Sequence, residues 1–219
     1  MNSFIRQAVV QQQDAFAEQV RKLAEILERS GNTDAWQTRM QAAIRQNILE
    51  QARNVIQARL PNGVGDIAAK LLLQDVKYLN RFRNEIDRKL VTDELSVDGV
   101  ANRSSLYGRT GIQMAWIIDE SLEIDGINED DQQDLVAIYE TSGDGGTCLP
   151  CIGAAEASPY PPLQGPFPGA VCFGRSRCRC KRILVVSRHL RVQVASVRET
   201  ALAGGLNPNL ASIIRKFRI

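Results

Sequence analysis

The chain has 219 residues, of which 44% are hydrophobic, 24% charged and 5% aromatic, a composition that allows one sizeable core or two modest ones. No apolar run approaches the length needed to cross a bilayer, so we do not expect a membrane protein. The net charge of +2 hides a polarised distribution, because residues 175–219 carry 11 Lys/Arg and a single acid, Glu199. A basic end of this density suits nucleic acid or an acidic protein surface, and charge alone does not choose between them.

Three long amphipathic helices are predicted in the first 95 residues, because apolar residues recur there every three or four positions. The first covers residues 4–29, the second begins at Asn32 or Thr33 and ends at the turn 61–63, and the third begins at Asp66. Their apolar faces consist of Phe16, Val20, Leu23 and Leu27; of Met40, Ile44, Ile48, Ala52 and Val55; and of Leu72, Val76, Leu79, Phe82, Ile86 and Leu90. Short loops join the helices, so we expect an antiparallel bundle, or an extended arm if a partner covers these faces.

A fourth helix is predicted from about Ser96 or Asp98 to about Leu122. It contains Gly108 and Gly111, each of which weakens a helix by about 1 kcal/mol relative to alanine. We therefore expect a kink or a close approach of backbones at these two glycines.

An acidic segment, residues 119–134, follows the fourth helix and carries eight carboxylates. It lacks the alternating order of oxygen ligands found in calcium loops. The pattern favours a solvated linker.

Two β-rich stretches, residues 135–141 and 179–186, flank a segment that contains all five cysteines. We expect them to pair as a small antiparallel hairpin. The proline-rich stretches 159–162 and 166–169 between them predict an extended loop. Beyond the second strand, a helix over about residues 192–202 and a final basic turn are predicted.

The five cysteines form a C-x2-C pair, Cys148 and Cys151, and a later group, Cys172, Cys178 and Cys180, that ends in C-x-C. Two short-range pairs joined by a Pro/Gly-rich loop are typical of a tetrahedral zinc site, which would stabilise a segment with little apolar content. One or two disulfides are the alternative, but they need an oxidising compartment, and no secretory segment is recognised before the first helix. Five cysteines exceed the four coordination positions of a tetrahedral ion, and Cys172 is the one that we suspect is not a ligand.

A catalytic cysteine is the weakest interpretation of the same segment. A thiol nucleophile needs a base, and the single histidine, His189, lies nine residues after Cys180 without a recognisable motif. No phosphate-binding glycine loop, metal-binding histidine pair or serine nucleophile elbow is present in the sequence. We therefore predict a protein that is not an enzyme.

The order of these features resembles the phage head morphogenesis or minor head proteins, the Mu F-like group of tailed bacteriophages. The matching residues are the segment 139–151, Tyr-Glu-Thr-Ser-Gly-Asp-Gly-Gly-Thr-Cys-Leu-Pro-Cys, then prolines at 161–162, Pro-Gly at 168–169 and Cys-Arg-Cys at 178–180. The specific part of the resemblance covers about residues 100–186, and the N-terminal helices agree only in character.

One departure affects the ligand set. Members of that family carry a histidine three residues before the C-R-C motif, whereas this chain has Arg175 there and Cys172 three positions further back. If that histidine is a ligand in the family, Cys172 replaces it here, so the choice of four ligands among the five cysteines stays open.

The resemblance implies a minor capsid protein of the virion, present in few copies near the portal vertex and inner head. It would contact the portal protein, the major capsid protein or both, and would support head assembly and DNA packaging or ejection. Such particles assemble in the reducing cytoplasm of a bacterial host, which favours zinc over disulfides.

The basic C-terminal region is a candidate for sequence-independent contacts to the phosphates of packaged DNA. The predicted contacts are Arg182, Arg188, Arg191, Arg198, Arg215, Lys216 and Arg218. The alternative is that these residues pair with acidic groups of a neighbouring subunit or of the chain's own residues 119–134.

Two other function classes compete. A free zinc-ribbon nucleic-acid-binding protein could read bases through Arg175, Arg177 and Arg179, but roughly 95 residues of helix would then be unexplained. A metal-dependent nuclease or hydrolase is disfavoured because a thiolate-rich ligand set is typical of closed structural sites.

Together these patterns predict an α+β protein with three parts. Residues 1–95 form a helical arm or bundle, residues 96–186 a minor-head-like domain with the cysteines, and residues 187–219 a basic C-terminal tail.

Overall fold

A computed structural model of the protein describes residues 3–56, 64–142, 146–174 and 177–188. Its elements are α1 (Ser3–Ser30), α2 (Thr33–Ile56), α3 (Val64–Val91), α4 (Val97–Ser104), a 3-10 turn (Ser105–Tyr107), α5 (Gly108–Asp125), α6 (Glu129–Gln132), β1 (Leu135–Glu140), α7 (Leu149–Glu156) and β2 (Lys181–Val186). The described chain is mostly helical, with one two-stranded antiparallel sheet, in agreement with the predicted α+β class. None of its described helices combines the length and the apolar content needed to cross a membrane.

A tight turn reverses the chain between α1 and α2. Gly31 adopts a left-handed φ of 62°, which glycine tolerates without strain, and its N–H donates to the Leu27 carbonyl at 2.8 Å. The side chain of Asn32 then accepts a hydrogen bond from the Ala35 N–H at 2.9 Å, so Asn32 caps α2. Near the far ends of the two helices, Gln51 Nε2 donates to the Val9 carbonyl at 3.2 Å. The helices are therefore antiparallel, as predicted.

Helix α3 packs along α2 in the opposite direction. Trp36, near the start of α2, meets Phe82, near the end of α3, edge to face with ring centroids 5.7 Å apart. Arg83 on α3 forms an ion pair of 2.9 Å with Asp34 on α2. Helices α1, α2 and α3 thus form the bundle that the apolar stripes predict.

The predicted fourth helix is divided in two by the 3-10 turn. The Ser96 hydroxyl caps α4 by accepting from the Gly99 N–H at 3.3 Å. At the start of α5, a Cβ added to Gly108 would lie 2.2 Å from Gln13 Oε1, and one added to Gly111 would lie 2.3 Å from Asn47 Nδ2. The close approach expected at these glycines is therefore present, because α1 and α2 press their side chains against the backbone of α5.

The acidic segment 119–134 is not the solvated linker that its composition indicates. Helix α5 continues to Asp125, beyond the predicted end near Leu122, and α6 forms a further short helix. Glu120, inside this segment, is only 4% exposed. Its burial depends on a partner from β2, described below.

The hydrophobic core of the bundle crosses the predicted domain boundary at residues 95/96. Val100, Ile112, Met114 and Trp116 of α4 and α5 belong to the same buried cluster as the apolar faces of α1, α2 and α3. Phe167, from the loop before β2, is also 1% exposed in that cluster. Helices α1 to α5 therefore share one core, and the loop is anchored to it.

The sheet pairs β1 with β2 in antiparallel register, with Tyr139 opposite Arg182. The strands are distant in sequence, so they form a sheet without a tight hairpin turn. Helix α7 lies in the connection and was not predicted, although Pro150 occupies its first turn, where proline is favoured. The predicted helix at 192–202, the final basic turn and His189 lie outside the described residues.

Candidate metal centre

Local structure brings the cysteines together from three segments. Cys148 directly precedes α7 and Cys151 lies in its first turn, so the C-x2-C spacing places both side chains at the start of one helix. Cys172 comes from the loop that follows Phe167, while Cys178 and Cys180 lead into β2. The pairing of β2 with β1 fixes the position of this last pair beside α7.

All five thiols converge at one place and none is bridged to another. Cys148 Sγ lies 3.6 Å from Cys172 Sγ, and Cys151 Sγ lies 3.8 Å from Cys178 Sγ. The sulfurs fall into two groups that share Cys151, and within each group all sulfurs lie within 4.8 Å of one another. The groups are Cys148, Cys151 and Cys172, and Cys151, Cys178 and Cys180.

Two of the sulfur–sulfur separations match the spacing of neighbouring ligands on one tetrahedral ion. Zinc–thiolate bonds of about 2.3 Å at tetrahedral angles place neighbouring sulfurs about 3.8 Å apart. The Cys148–Cys172 and Cys151–Cys178 separations, 3.6 and 3.8 Å, match that spacing, and each set of mutually close sulfurs contains three cysteines. The structure thus contains cysteine clusters that could hold a metal ion.

Burial and hydrogen bonds within the cluster shift the pKa values of the thiols. Burial alone raises the pKa of Cys148, but hydrogen bonds from the backbone N–H groups of Phe173 and Cys151 outweigh it and lower the pKa to about 7. Burial raises the pKa of Cys151, raises that of Cys172 to about 12 and raises that of Cys180. Several thiolates can coexist at this spacing only beside a cation, so binding of a metal ion would release protons.

Hydrogen bonds to sulfur orient the cluster. The Tyr139 hydroxyl donates to Cys151 Sγ at 3.1 Å, and the Gly174 N–H donates to Cys172 Sγ at 3.2 Å. Tyr139 is itself 1% exposed. Such donors stabilise the charge on a thiolate and hold it in one orientation.

The cluster replaces a conventional core in this part of the chain. The second buried cluster consists of Tyr139, Ala154 and the four cysteines Cys151, Cys172, Cys178 and Cys180. Outside it, Leu149 and Phe173 are 77% and 68% exposed. With so little apolar burial, this region would gain much of its stability from a metal ion bound by the sulfurs.

Arg182 is not available for the phosphate contact that the sequence predicts. Its side chain is 1% exposed and forms a bidentate ion pair with Glu120, with Nε–Oε2 and Nη2–Oε1 distances of 3.1 and 3.2 Å. The guanidinium also donates to the carbonyls of Pro161, Gln164 and Pro166. It has no exposed face to offer to DNA, because it serves to bury a carboxylate of α5.

Arg188 is half-exposed and pairs with Asp131, with Asp134 3.8 Å from its other terminal nitrogen. Both Arg182 and Arg188 therefore engage the chain's own acidic segment, the alternative raised for these residues. The other five predicted phosphate contacts, Arg191, Arg198, Arg215, Lys216 and Arg218, lie outside the described residues.

The sequence analysis missed the contact between Glu120 and Arg182. The one signal for it is the position of Glu120 on the buried face of α5. Glu120 lies four residues after Trp116 and so shares its helical face. A carboxylate on a buried face needs a cation, and Arg182 lies among the apolar residues of a strand. The pairing of the two needed the tertiary structure.

Comparison of this chain with family models, with curated proteins and with solved structures found no match.

Proposed function

We propose that this chain is a minor head protein of a tailed bacteriophage, in which a structural zinc ion holds the segment between β1 and β2 against a helical bundle. The observation that carries the proposal is the convergence of five thiols in two overlapping groups of three, with two sulfur pairs at the spacing of tetrahedral ligands. These thiols lie in the stretch whose residue order carries the resemblance to minor head proteins.

The proposed zinc ligands are Cys148, Cys151, Cys172 and Cys178, which supply the two sulfur pairs 3.6 and 3.8 Å apart. Cys180 is then the fifth thiol, beside the site on the side of Cys151 and Cys178. Zinc suits this donor set because it prefers thiolates in closed, four-coordinate structural sites. The ion would cross-link the start of α7, the loop that contains Cys172 and the entry to β2.

The role is one of assembly, with no chemical step. A thiolate-rich, closed site leaves no open position for a substrate. The bundle offers exposed apolar side chains for protein contacts, such as Leu73 and Tyr78 on α3, which are 64% and 62% exposed. The portal protein and the major capsid protein are the proposed partners, and packaged DNA is the proposed partner of the basic residues beyond Arg188.

The test uses particles of a phage that encodes this chain. Purified virions are analysed by mass spectrometry before and after DNA release, beside an amber mutant in the gene for this chain. We expect a few copies per virion and defective heads in the mutant. If the chain is absent from virions and is instead found bound to nucleic acid in infected cells, the zinc-ribbon alternative replaces the proposal.

A further inference from the structure

A groove of about 580 Å³ lies between the sheet and the bundle, away from the sulfurs of the cysteine cluster. Its walls are Arg6 of α1, Trp116 and Glu123 of α5, and the four consecutive residues 181–184 of β2. The volume is within the range of sites that bind small molecules, about 300–1,000 Å³.

The groove is lined by the free edge of β2. Side chains alternate between the two faces of a strand, so a run of four consecutive lining residues means that the strand turns its edge to the groove. On the other side of the sheet, β1 is covered, because Ala137 and Tyr160 form a β-bridge with hydrogen bonds of 2.8 and 2.9 Å. Within the described residues, β2 pairs with β1 alone, which leaves its outer N–H and C=O groups without a strand partner.

The charges at the Lys181 end of this edge are positive, whereas Asp119 and Glu123 lie beside Ile183 and Leu184. Arg6 and Lys181 have no ion-pair partner among the described residues, and Arg6 reaches across the groove to the Cys180 carbonyl at 3.2 Å. The charge of Arg182 is already neutralised by Glu120. Glu123 is the one carboxylate among the lining residues, and burial together with the nearby Asp119 raises its pKa.

We propose that the outer edge of β2 binds an extended acidic segment of a partner protein, which adds to the sheet as a further strand. Main-chain hydrogen bonds to residues 181–186 supply the affinity, and carboxylates of the segment pair with Arg6 and Lys181. The chain's own residues 189–219 do not fit this charge pattern, since they carry five Lys/Arg and a single acid, Glu199. The proposal does not depend on the zinc site or on the phage assignment.

The experiment follows the backbone amides of the full-length, ¹⁵N-labelled protein by NMR hydrogen exchange. Two synthetic peptides are added separately, one of alternating valine and glutamate and one of alternating valine and lysine, both of six residues. We expect the glutamate peptide to slow exchange at alternate amides within Lys181–Val186, and the lysine peptide to leave exchange unchanged. A glutamate peptide with N-methylated backbone amides should lose binding, since it cannot extend a sheet.

Two charge reversals complete the test. Lys181→Glu should lower the affinity for the glutamate peptide by roughly three- to tenfold, which is the effect of reversing the charge of one exposed partner. Lys70→Glu, at an exposed site on α3 that does not line the groove, is the matched control and should bind as the unaltered protein does.

Several outcomes would overturn the proposal. Equal binding of the two peptides would remove the charge argument, and binding without protection of the β2 amides would place the site elsewhere. Protection of the outer β2 amides before any peptide is added would mean that residues of this chain or of a second copy occupy the edge. Absence of binding by the glutamate peptide at millimolar concentration would also reject it.

Discussion

The guanidinium of Arg182 joins the sheet to the helical bundle. It holds both carboxylate oxygens of Glu120 and three loop carbonyls, and it lies over the Phe167 ring with 4.6 Å between Cζ and the ring centroid. A buried ion pair in which every guanidinium nitrogen is engaged contributes little net stability over apolar packing, but it is costly to break from one side. Arg182 therefore has a structural role, because it holds the sheet against the bundle.

Arg182→Met should destabilise the protein by about 3–5 kcal/mol, because it leaves the carboxylate of Glu120 buried without a cation. The free energy of unfolding, measured by urea denaturation, checks this. The double variant Glu120→Met with Arg182→Met should recover much of the loss, since no buried charge then remains.

Arg188→Ala is the control at an exposed arginine with acidic partners, and it should cost no more than about 1 kcal/mol. Equal losses from Arg182→Met and Arg188→Ala would contradict the role given to Arg182.

Asp75 is a second residue whose environment controls stability. Burial raises the pKa of this carboxyl from 3.8 to about 6, although a hydrogen bond with Thr110 opposes the shift, and its Oδ2 has no hydrogen-bond partner in the described structure. The folded pKa is above the unfolded one, so the folded state holds the proton more tightly. The carboxyl therefore favours the fold below about pH 4, and that advantage is lost as the pH rises through 6.

Asp75→Asn should accordingly stabilise the protein at pH 7, by up to about 3 kcal/mol, and the gain should shrink towards zero at pH 4. Urea denaturation at several pH values measures the difference between the variant and the unaltered chain. Asp66→Asn, at an exposed site on the same helix, controls for the change of residue type. A gain that is constant from pH 4 to pH 7 would refute the assignment.

At the scale of elements, the two buried clusters predict two different responses to removal of metal. The core of the bundle is built from aliphatic and aromatic side chains, whereas four of the six residues in the second cluster are cysteines. The first is stable through hydrophobic burial, whereas the proposed zinc ion would stabilise the second through bonds between sulfur and metal.

Chelation should therefore open α7 and β2 while leaving α1 and α2 folded. Hydrogen exchange with mass spectrometry, before and after a strong zinc chelator, should show faster exchange in residues 149–156 and 181–186 only. Uniform loss of protection across the chain would mean that the bundle also depends on the metal. Unchanged protection everywhere would mean that no metal stabilises the segment.

The elements that the sequence predicted best are those with long periodic patterns. The stripes ending at Leu27 and Val55 predict α1 and α2 because burial of an apolar face follows from helical spacing. Helix α7 was missed because it has only eight residues, and the proline and cysteines that mark it also suit a loop. The acidic segment was misread because composition does not reveal that Glu120 has a partner 62 positions away.

The candidate site was predictable in its residues and not in its geometry. The spacing of Cys148, Cys151, Cys178 and Cys180 indicates metal binding on its own. The position of Cys172 does not, since its distance from Cys148 depends on the fold of the 20 residues between the two local groups. The structure places its sulfur 3.6 Å from that of Cys148, inside the cluster.

For the whole molecule, the engagement of Arg182 and Arg188 limits any contact with DNA. Five of the predicted phosphate contacts remain, all beyond residue 188. Each phosphate neutralised on B-DNA contributes about −0.9 to the slope of log K against log salt, so the slope should be no steeper than about −4.5.

Fluorescence anisotropy with a random-sequence duplex at several salt concentrations measures this slope. Replacing Arg215, Lys216 and Arg218 by alanine should reduce it, whereas Arg188→Ala should leave it unchanged. Affinity that does not vary between low and moderate salt would contradict binding through phosphates.

The metal content of the full-length protein tests most directly whether a metal ion joins the cysteines. The protein is purified without added metal and analysed by elemental mass spectrometry, with thiols titrated before and after chelation. We predict about one zinc ion per chain, four thiols masked until the chelator is added, unchanged content in Cys180→Ser and lost content in Cys151→Ser. A chain without metal, in which fewer than five thiols react under denaturing conditions, would instead contain disulfides and would contradict the account.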